Sequence, residues 1–166
     1  NSATTPRDLV CDEDAWLMLL ILSESVAARL RELALKCTVV EISLRDTELD
    51  SFTRQQKAES PTDNCLEIAR AAFGLFRQNY SWNRPLRSIG VRASGLVAAG
   101  APMQLSLLRD ETRRDKRERL DRAVDEVRER YGYGSLQRAL VRTDPALGGI
   151  DPTSHTIHPV GFFNGG

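Results

Sequence analysis

The sequence predicts an α+β fold. It is a two-layer sandwich in which a four-stranded, mainly antiparallel sheet is covered on one face by two helices, in the order β-α-β-β-α-β, followed by a helical and irregular C-terminal extension. Three observations predict it. Residues 12–36 and 60–80 each place apolar side chains at helical spacing along one stripe. Residues 38–45 and 49–55 alternate and are joined so tightly that they must form an antiparallel hairpin. Two amphipathic helices need one apolar surface to cover, and a sheet with one apolar face supplies it.

Residues 2–10 are short, polar and β-tolerant, and read as a strand end or turn. Asp12 is placed to cap the first helix, with Glu13 and Asp14 in its first turn, where the helix dipole favours acid. That helix runs to about Lys36. Its buried stripe is Trp16, Leu19, Leu20, Ser23, Val26, Ala27, Leu30 and Leu33, while Arg29 and Arg31 beside Glu24 and Glu32 form a solvated face. From Thr38 to Arg45, Thr38, Val40, Ile42 and Leu44 share one face and Val39, Glu41, Ser43 and Arg45 the other, as in a strand covered on one side. Asp46-Thr-Glu turns the chain, and Leu49 to Gln55 returns with Phe52 inward and Ser51, Thr53 and Gln55 outward. Ser60-Pro61-Thr62 starts the second helix, since Pro is tolerated in a first turn. Its stripe is Cys65, Ile68, Ala69, Ala72, Phe73 and Phe76, and it ends near Tyr80. In the last strand, Leu86 to Ser94, Ile89 and Val91 face one way and Ser88, Gly90, Arg92 and Ser94 the other.

Residues 1–97 make this domain. Residues 98–109 read as a linker that carries a short apolar island, Gln104-Leu-Ser-Leu-Leu108. Residues 110–142 form a charged helical extension. Its helix has a narrow seam of Leu120, Val124, Val127 and Tyr131, expected to pack on the domain or on a second chain. Arg113, Arg114, Arg117 and Arg128 stand among acidic residues in the manner of intrahelical pairs, the alternative being contact with DNA or an acidic partner. Residues 143–166 are an irregular, Gly- and Pro-rich tail.

With 166 residues, 41% hydrophobic and 28% charged, the chain can bury a core, which excludes global disorder. Zero formal net charge excludes a polycation that coats nucleic acid by bulk charge, so any DNA affinity rests on local placement of Arg and Lys. Cys11, Cys37 and Cys65 fit no zinc spacing and no closed disulfide framework, and the expected compartment is a reducing cytoplasm. The longest apolar run, Ala15 to Leu22, is too short to span a bilayer, so no membrane partner is expected. The sequence opens at Asn1 without a Met, inside what reads as a structural element, so a piece of a longer protein is expected.

No catalytic or metal site is expected. Gly148-Gly149 lacks the Lys and the following helix of a phosphate loop. The carboxylates lie at helix starts, in turns or beside basic partners, rather than clustered as two-metal phosphoryl transfer requires. His155 and His158 lack further ligands nearby, and nothing orients His155 as a base for Ser154. The outward strand face says more. Arg87, Ser88, Gly90, Arg92 and Ser94 combine cations, hydroxyls and a glycine that lets another backbone approach, the donor types that hold DNA phosphates without reading sequence. Thr4, Thr5, Ser51, Thr53 and Gln55 add donors from neighbouring strands. The same residues suit a solvated face, and composition does not separate the two. Gln104 to Leu108 likewise suits either a helix entry or a peptide that docks in a partner's groove.

Arg84-Pro-Leu-Arg-Ser-Ile-Gly-Val-Arg92, after a helix and the strand Leu49-Asp-Ser-Phe-Thr-Arg-Gln55, resembles the C-terminal little-finger domain of Y-family DNA polymerases, the lesion-bypass enzymes of the DinB/ImpB/MucB/SamB type. The opening Asn-Ser-Ala-Thr-Thr-Pro is similar to that domain's first strand, so the resemblance covers roughly residues 1–97. The ending Thr-Ile-His-Pro-Val-Gly-Phe-Phe163 is similar to that of a bacterial subgroup. The resemblance implies that the open sheet face lies against duplex primer-template DNA. Arg87, Ser88 and Arg92 then fall at last-strand phosphate contacts, Thr4 at a first-strand contact, and Ser51 and Thr53 near third-strand contacts. It implies that catalysis, by palm carboxylates and two magnesium ions, belongs to the palm, fingers and thumb of the same parent chain, with no cofactor in this fragment. Gln104, Leu105, Ser106, Leu107 and Leu108 are similar to the bacterial sliding-clamp-binding motif, with Leu where Phe is common at the last position. The implied function is to hold duplex DNA for an error-prone translesion polymerase and to dock the clamp. The alternative is a protein-interaction or dimerisation module without DNA binding, recognised by salt-insensitive self-association through the 120–131 seam. A sequence-specific regulator is disfavoured, because the helices lack a basic, polar recognition face.

Overall fold

The computed structural model describes residues 1–101 and 111–151. The elements run β1 (Ser2–Leu9), α1 (Asp12–Glu32), β2 (Leu35–Asp46), β3 (Ser51–Thr62), α2 (Cys65–Asn79), β4 (Leu86–Ala98), α3 (Glu111–Tyr131) and a short α4 (Pro145–Gly148). The four strands form one sheet in the order β1-β4-β2-β3, and every neighbouring pair is antiparallel. This is the expected α+β sandwich. The expected strand end or turn at 2–10 is a full edge strand, and β4 continues to Ala98, into the expected linker.

Several boundaries differ from expectation for local reasons. Asp12 does not cap α1; the N-cap is Cys11, without a side-chain bond. Asp14 instead accepts the Val10 N–H at 3.1 Å, while Asp12 accepts the Trp82 indole N–H at 2.7 Å. The helix stops at Glu32, short of Lys36, because Ala34 turns left-handed (φ 51°) to feed β2. Residues 60–62 end β3 rather than begin α2. Asn64 caps α2, its side-chain oxygen accepting from the Leu66 and Glu67 amides at 3.1 and 3.2 Å.

The largest difference concerns the outer side of α1. Its expected solvated face is covered: Glu24 is 5% exposed and the Arg31 side chain 9%. The C-terminal extension lies over it, so α1 is buried against the sheet, against α2 and against the extension, and shows no single apolar stripe. Val141 and Leu147 of the extension join the hydrophobic core, while the contact made by α3 and Arg138 is ionic. Glu24 accepts from Arg128 at 2.9 Å and from Arg138 at 2.6 Å, and Arg31 donates to Asp125 at 2.9 Å and to the Asp63 carbonyl at 2.7 Å. Asp121 accepts from the Cys65 amide and the Asn64 side chain, both at 3.1 Å. The expected apolar seam therefore does not make this interface: Leu120 and Tyr131 are exposed, and the charged face of α3 packs inward. Nor are its arginines confined to intrahelical pairs, because Arg114 donates across to the Pro61 carbonyl at 2.7 Å.

Candidate nucleic-acid interface

The sheet face opposite the helices carries no covering element among the described residues. Strand register sorts its side chains into rows. Thr4, Ser88, Arg45 and Ser51 lie side by side across β1, β4, β2 and β3. Next come Ser2, Gly90, Ser43 and Thr53, then Arg92, Glu41 and Gln55, then Ser94, Val39 and Lys57. Period-two alternation makes this one face polar, while Ala3, Ile89, Leu44 and Val91 point into the core.

Arg87 reaches solvent by a different route. Ser88 pairs with Arg45 and Leu86 pairs with Asp46, so β4 has one residue more than β2 at this point, and that residue is Arg87. The bulge allows Leu86 and Ile89 both to be fully buried while Arg87 stays exposed. The turn beside it is fixed by Asp46, which accepts the Glu48 and Asp50 amides at 2.9 and 3.0 Å and the Arg84 guanidinium at 3.1 Å. Burial raises the Asp46 pKa, but Arg84 and the two amides outweigh it and hold the carboxyl below its ordinary value. Arg84 also meets Glu48 and Asp50, so its charge is locally compensated.

Six of the ten expected DNA-binding residues, Thr4, Ser51, Thr53, Gln55, Arg87 and Arg92, are exposed. Ser88 and Ser94 are half-buried on the same face, and the Ser88 hydroxyl donates to the Ala3 carbonyl at 3.0 Å. Thr5 is on the wrong side. Adjacent residues of a strand point oppositely, so Thr5 turns inward from Thr4 and its hydroxyl donates to the Arg87 carbonyl at 3.1 Å. Gly90 is buried. The space its missing Cβ leaves is filled by the Ser43 hydroxyl, with the Ser2 Cβ 3.0 Å away, so the close approach it permits is made within the sheet. Two further cations stand on this face that the sequence reading did not include. Arg45 sits between Ser88 and Ser51, and its outward position was legible in the β2 alternation. Lys57 lay beyond the expected end of β3 at Gln55. The face also holds a carboxylate, Glu41, 3.7 Å from Arg92.

Gln104, Leu105, Ser106, Leu107 and Leu108 lie outside the described residues, as do Ser154, His155, His158 and the rest of the tail. Among the described residues no group of three or more His, Cys, Asp or Glu converges to hold a metal ion. No helix among them is long and apolar enough to cross a membrane.

The sequence has known relatives. It is 41% identical over 150 residues to a DNA polymerase IV of Acetivibrio thermocellus, covering 90% of this chain and 38% of that one. It is 32% identical over 143 residues to a DNA polymerase IV of Desulfatibacillum aliphaticivorans, covering 86% and 36%. The chain thus spans a little over a third of the length of these relatives. Among solved structures, the little finger domain of PolIV in complex with a beta-clamp processivity factor aligns with a TM-score of 0.47 and 15% identity, over 66% of this chain and 95% of that one. The model of the impB/mucB/samB family C-terminal domain matches residues 1–107, and the chain belongs to that family.

Proposed function

We propose that this chain is the duplex-holding domain of an error-prone translesion DNA polymerase, gripping the primer-template through phosphate contacts from its open sheet face. One observation carries this reading: Arg45, Lys57, Arg87 and Arg92 are exposed on that face or at its bulge, among the hydroxyls of Thr4, Ser51 and Thr53. Cations, hydroxyls and amides on a face with no apolar patch suit a sugar-phosphate backbone, and such contacts do not depend on sequence. An enzyme that accepts distorted template needs a grip of this kind. Family membership and the two polymerase relatives support the same reading.

On this reading the chain supplies grip, and catalysis with its magnesium ions belongs to the palm, fingers and thumb of the parent polymerase. The segment Gln104–Leu108 docks a sliding clamp, which raises the local concentration of the domain on DNA. With zero net charge the isolated chain binds duplex weakly, with a Kd of about 1 µM or higher. The test is fluorescence anisotropy on a labelled primer-template at low and moderate salt, comparing the chain with Arg87→Ala/Arg92→Ala. Weak, sequence-indifferent binding that falls with salt and drops in the variant supports the grip. Binding indifferent to both arginines, or none at low salt, removes it.

A further inference from the structure

A second basic site lies off the open face, on the other side of the β3 edge. Between the pairs Cys37–Thr62 and Val39–Lys57, β3 carries four residues, 58–61, where β2 carries one. The edge strand bows away from its neighbour there and opens a groove of about 530 Å³ between β3, α2 and α3. Lys57, Arg70, Arg113, Arg114 and Arg117 line it, against two carboxylates, Glu59 and Glu67.

The groove is built. Arg114 is 8% exposed and spans it at the base, donating to the Pro61 carbonyl of the bowed segment at 2.7 Å and standing 3.6 Å from Glu67. This seats α3 against β3. Arg113 and Arg117, four residues apart, then share one face of the helix. Arg70 reaches the groove from α2 and Lys57 from the open-face row of β3. Lys57, Arg70 and Arg117 have no ion pair or side-chain hydrogen bond with the described residues. In a chain of zero net charge, three uncompensated cations around one groove, beside a helix whose Arg114 and Arg128 are paired with carboxylates, mark a place for a polyanion.

We propose that this groove is a second phosphate-binding strip, which takes a nucleic-acid backbone as it leaves the open sheet face and passes around the β3 edge. Lys57 joins the two sites, because it lies in the Ser94–Val39–Lys57 row of the open face and also lines the groove. The strip lies six residues along the strands from the Thr4–Ser88–Arg45–Ser51 row, about 20 Å at ~3.3 Å per residue, so it adds contacts at the far end of the face. The inference rests on the DNA-holding role of the open face.

The test uses the whole chain with Arg70→Gln/Arg117→Gln, and separately with Arg87→Gln/Arg92→Gln. Duplex affinity is measured by anisotropy across a salt series, with far-UV circular dichroism to confirm folding. Loss of two phosphate contacts reduces the salt dependence, expressed as the slope of log K against log salt, by roughly 1.8. The expected result is that each pair lowers the slope by about this amount and the four substitutions together lower it by about twice as much. If only the open-face pair matters, the second strip is wrong and the grip stands. If neither pair matters, both readings fall. A polyglutamate peptide is the remaining arm: if its binding is lost in Arg70→Gln/Arg117→Gln while the duplex slope is unchanged, the groove takes acidic protein and the proposal is overturned.

Discussion

Glu24 and Arg138, 114 residues apart in sequence, meet at 2.6 Å, with the Glu24 carboxylate 5% exposed. Arg128 reaches the same carboxylate at 2.9 Å. One buried acid on α1 thus holds two arginines of the extension. Replacing one side of a buried pair leaves the partner charges desolvated and uncompensated, which costs more than the pair itself contributes. Glu24→Ala is expected to lower unfolding stability by about 3 kcal/mol in urea denaturation. A loss within the ordinary surface range, under about 0.5 kcal/mol, would show that α1 and the extension are not packed together.

A second tie joins the extension to β1 and is sensitive to acid. Arg7 donates to Asp14 at 2.8 and 2.6 Å and to Asp144 at 2.6 Å. Its guanidinium holds both carboxyls below their ordinary value of 3.8. The stabilisation is therefore complete above that value and is lost as pH falls through the lower values of the folded state. Asp63 acts in the opposite sense, because burial raises its pKa and protonation relieves it. The expected result is a melting temperature that falls steeply below about pH 4, with a shallower acid limb in Arg7→Ala. An identical acid limb in the variant would remove Arg7 as the cause.

The three thiols differ in access. Cys37 and Cys65 are buried, and burial pushes their pKa values up to about 11 and about 12, with the Asp121 charge adding to the effect at Cys65. Cys11 is partly exposed, although burial raises its pKa above the ordinary value as well. A disulfide-exchange reagent at pH 8 is expected to titrate one thiol quickly in the native protein and all three after unfolding, since the thiolate is the reactive form. Fast reaction of Cys65 would mean that the extension opens readily.

Glu41 bears on the proposed DNA grip. It stands 3.7 Å from Arg92 on the open face, where it attracts the cation and repels phosphate. Exposed pairs of this kind contribute at most about 1 kcal/mol, which is roughly five-fold in an equilibrium constant. Glu41→Gln is expected to tighten duplex binding at low salt by up to about that factor, with the gain fading as salt rises. Weaker binding in the variant would place Glu41 among the contacts rather than against them.

Sequence alone determined the sheet, its two covering helices and the polarity of the open face, because period-two and period-3.6 patterns are local and each apolar stripe must find a cover. The strand Thr38–Arg45 and the Ser88–Ser94 face were legible this way, and so was Arg45 as an outward residue. Tertiary structure decided the rest. Thr5 turned inward because a strand covers what had read as a turn, and alternation admits only Thr4 outside. Arg87 gained exposure from a bulge, which depends on the register between two strands and not on the composition of either. The C-terminal helix offered an apolar seam and used its charged face, because the surface that receives it, Glu24, Arg31 and the Asn64–Cys65 helix start, is polar and comes together only when the domain folds. A charge in sequence reads as a solvated face until its partner, a hundred residues away, removes it from water.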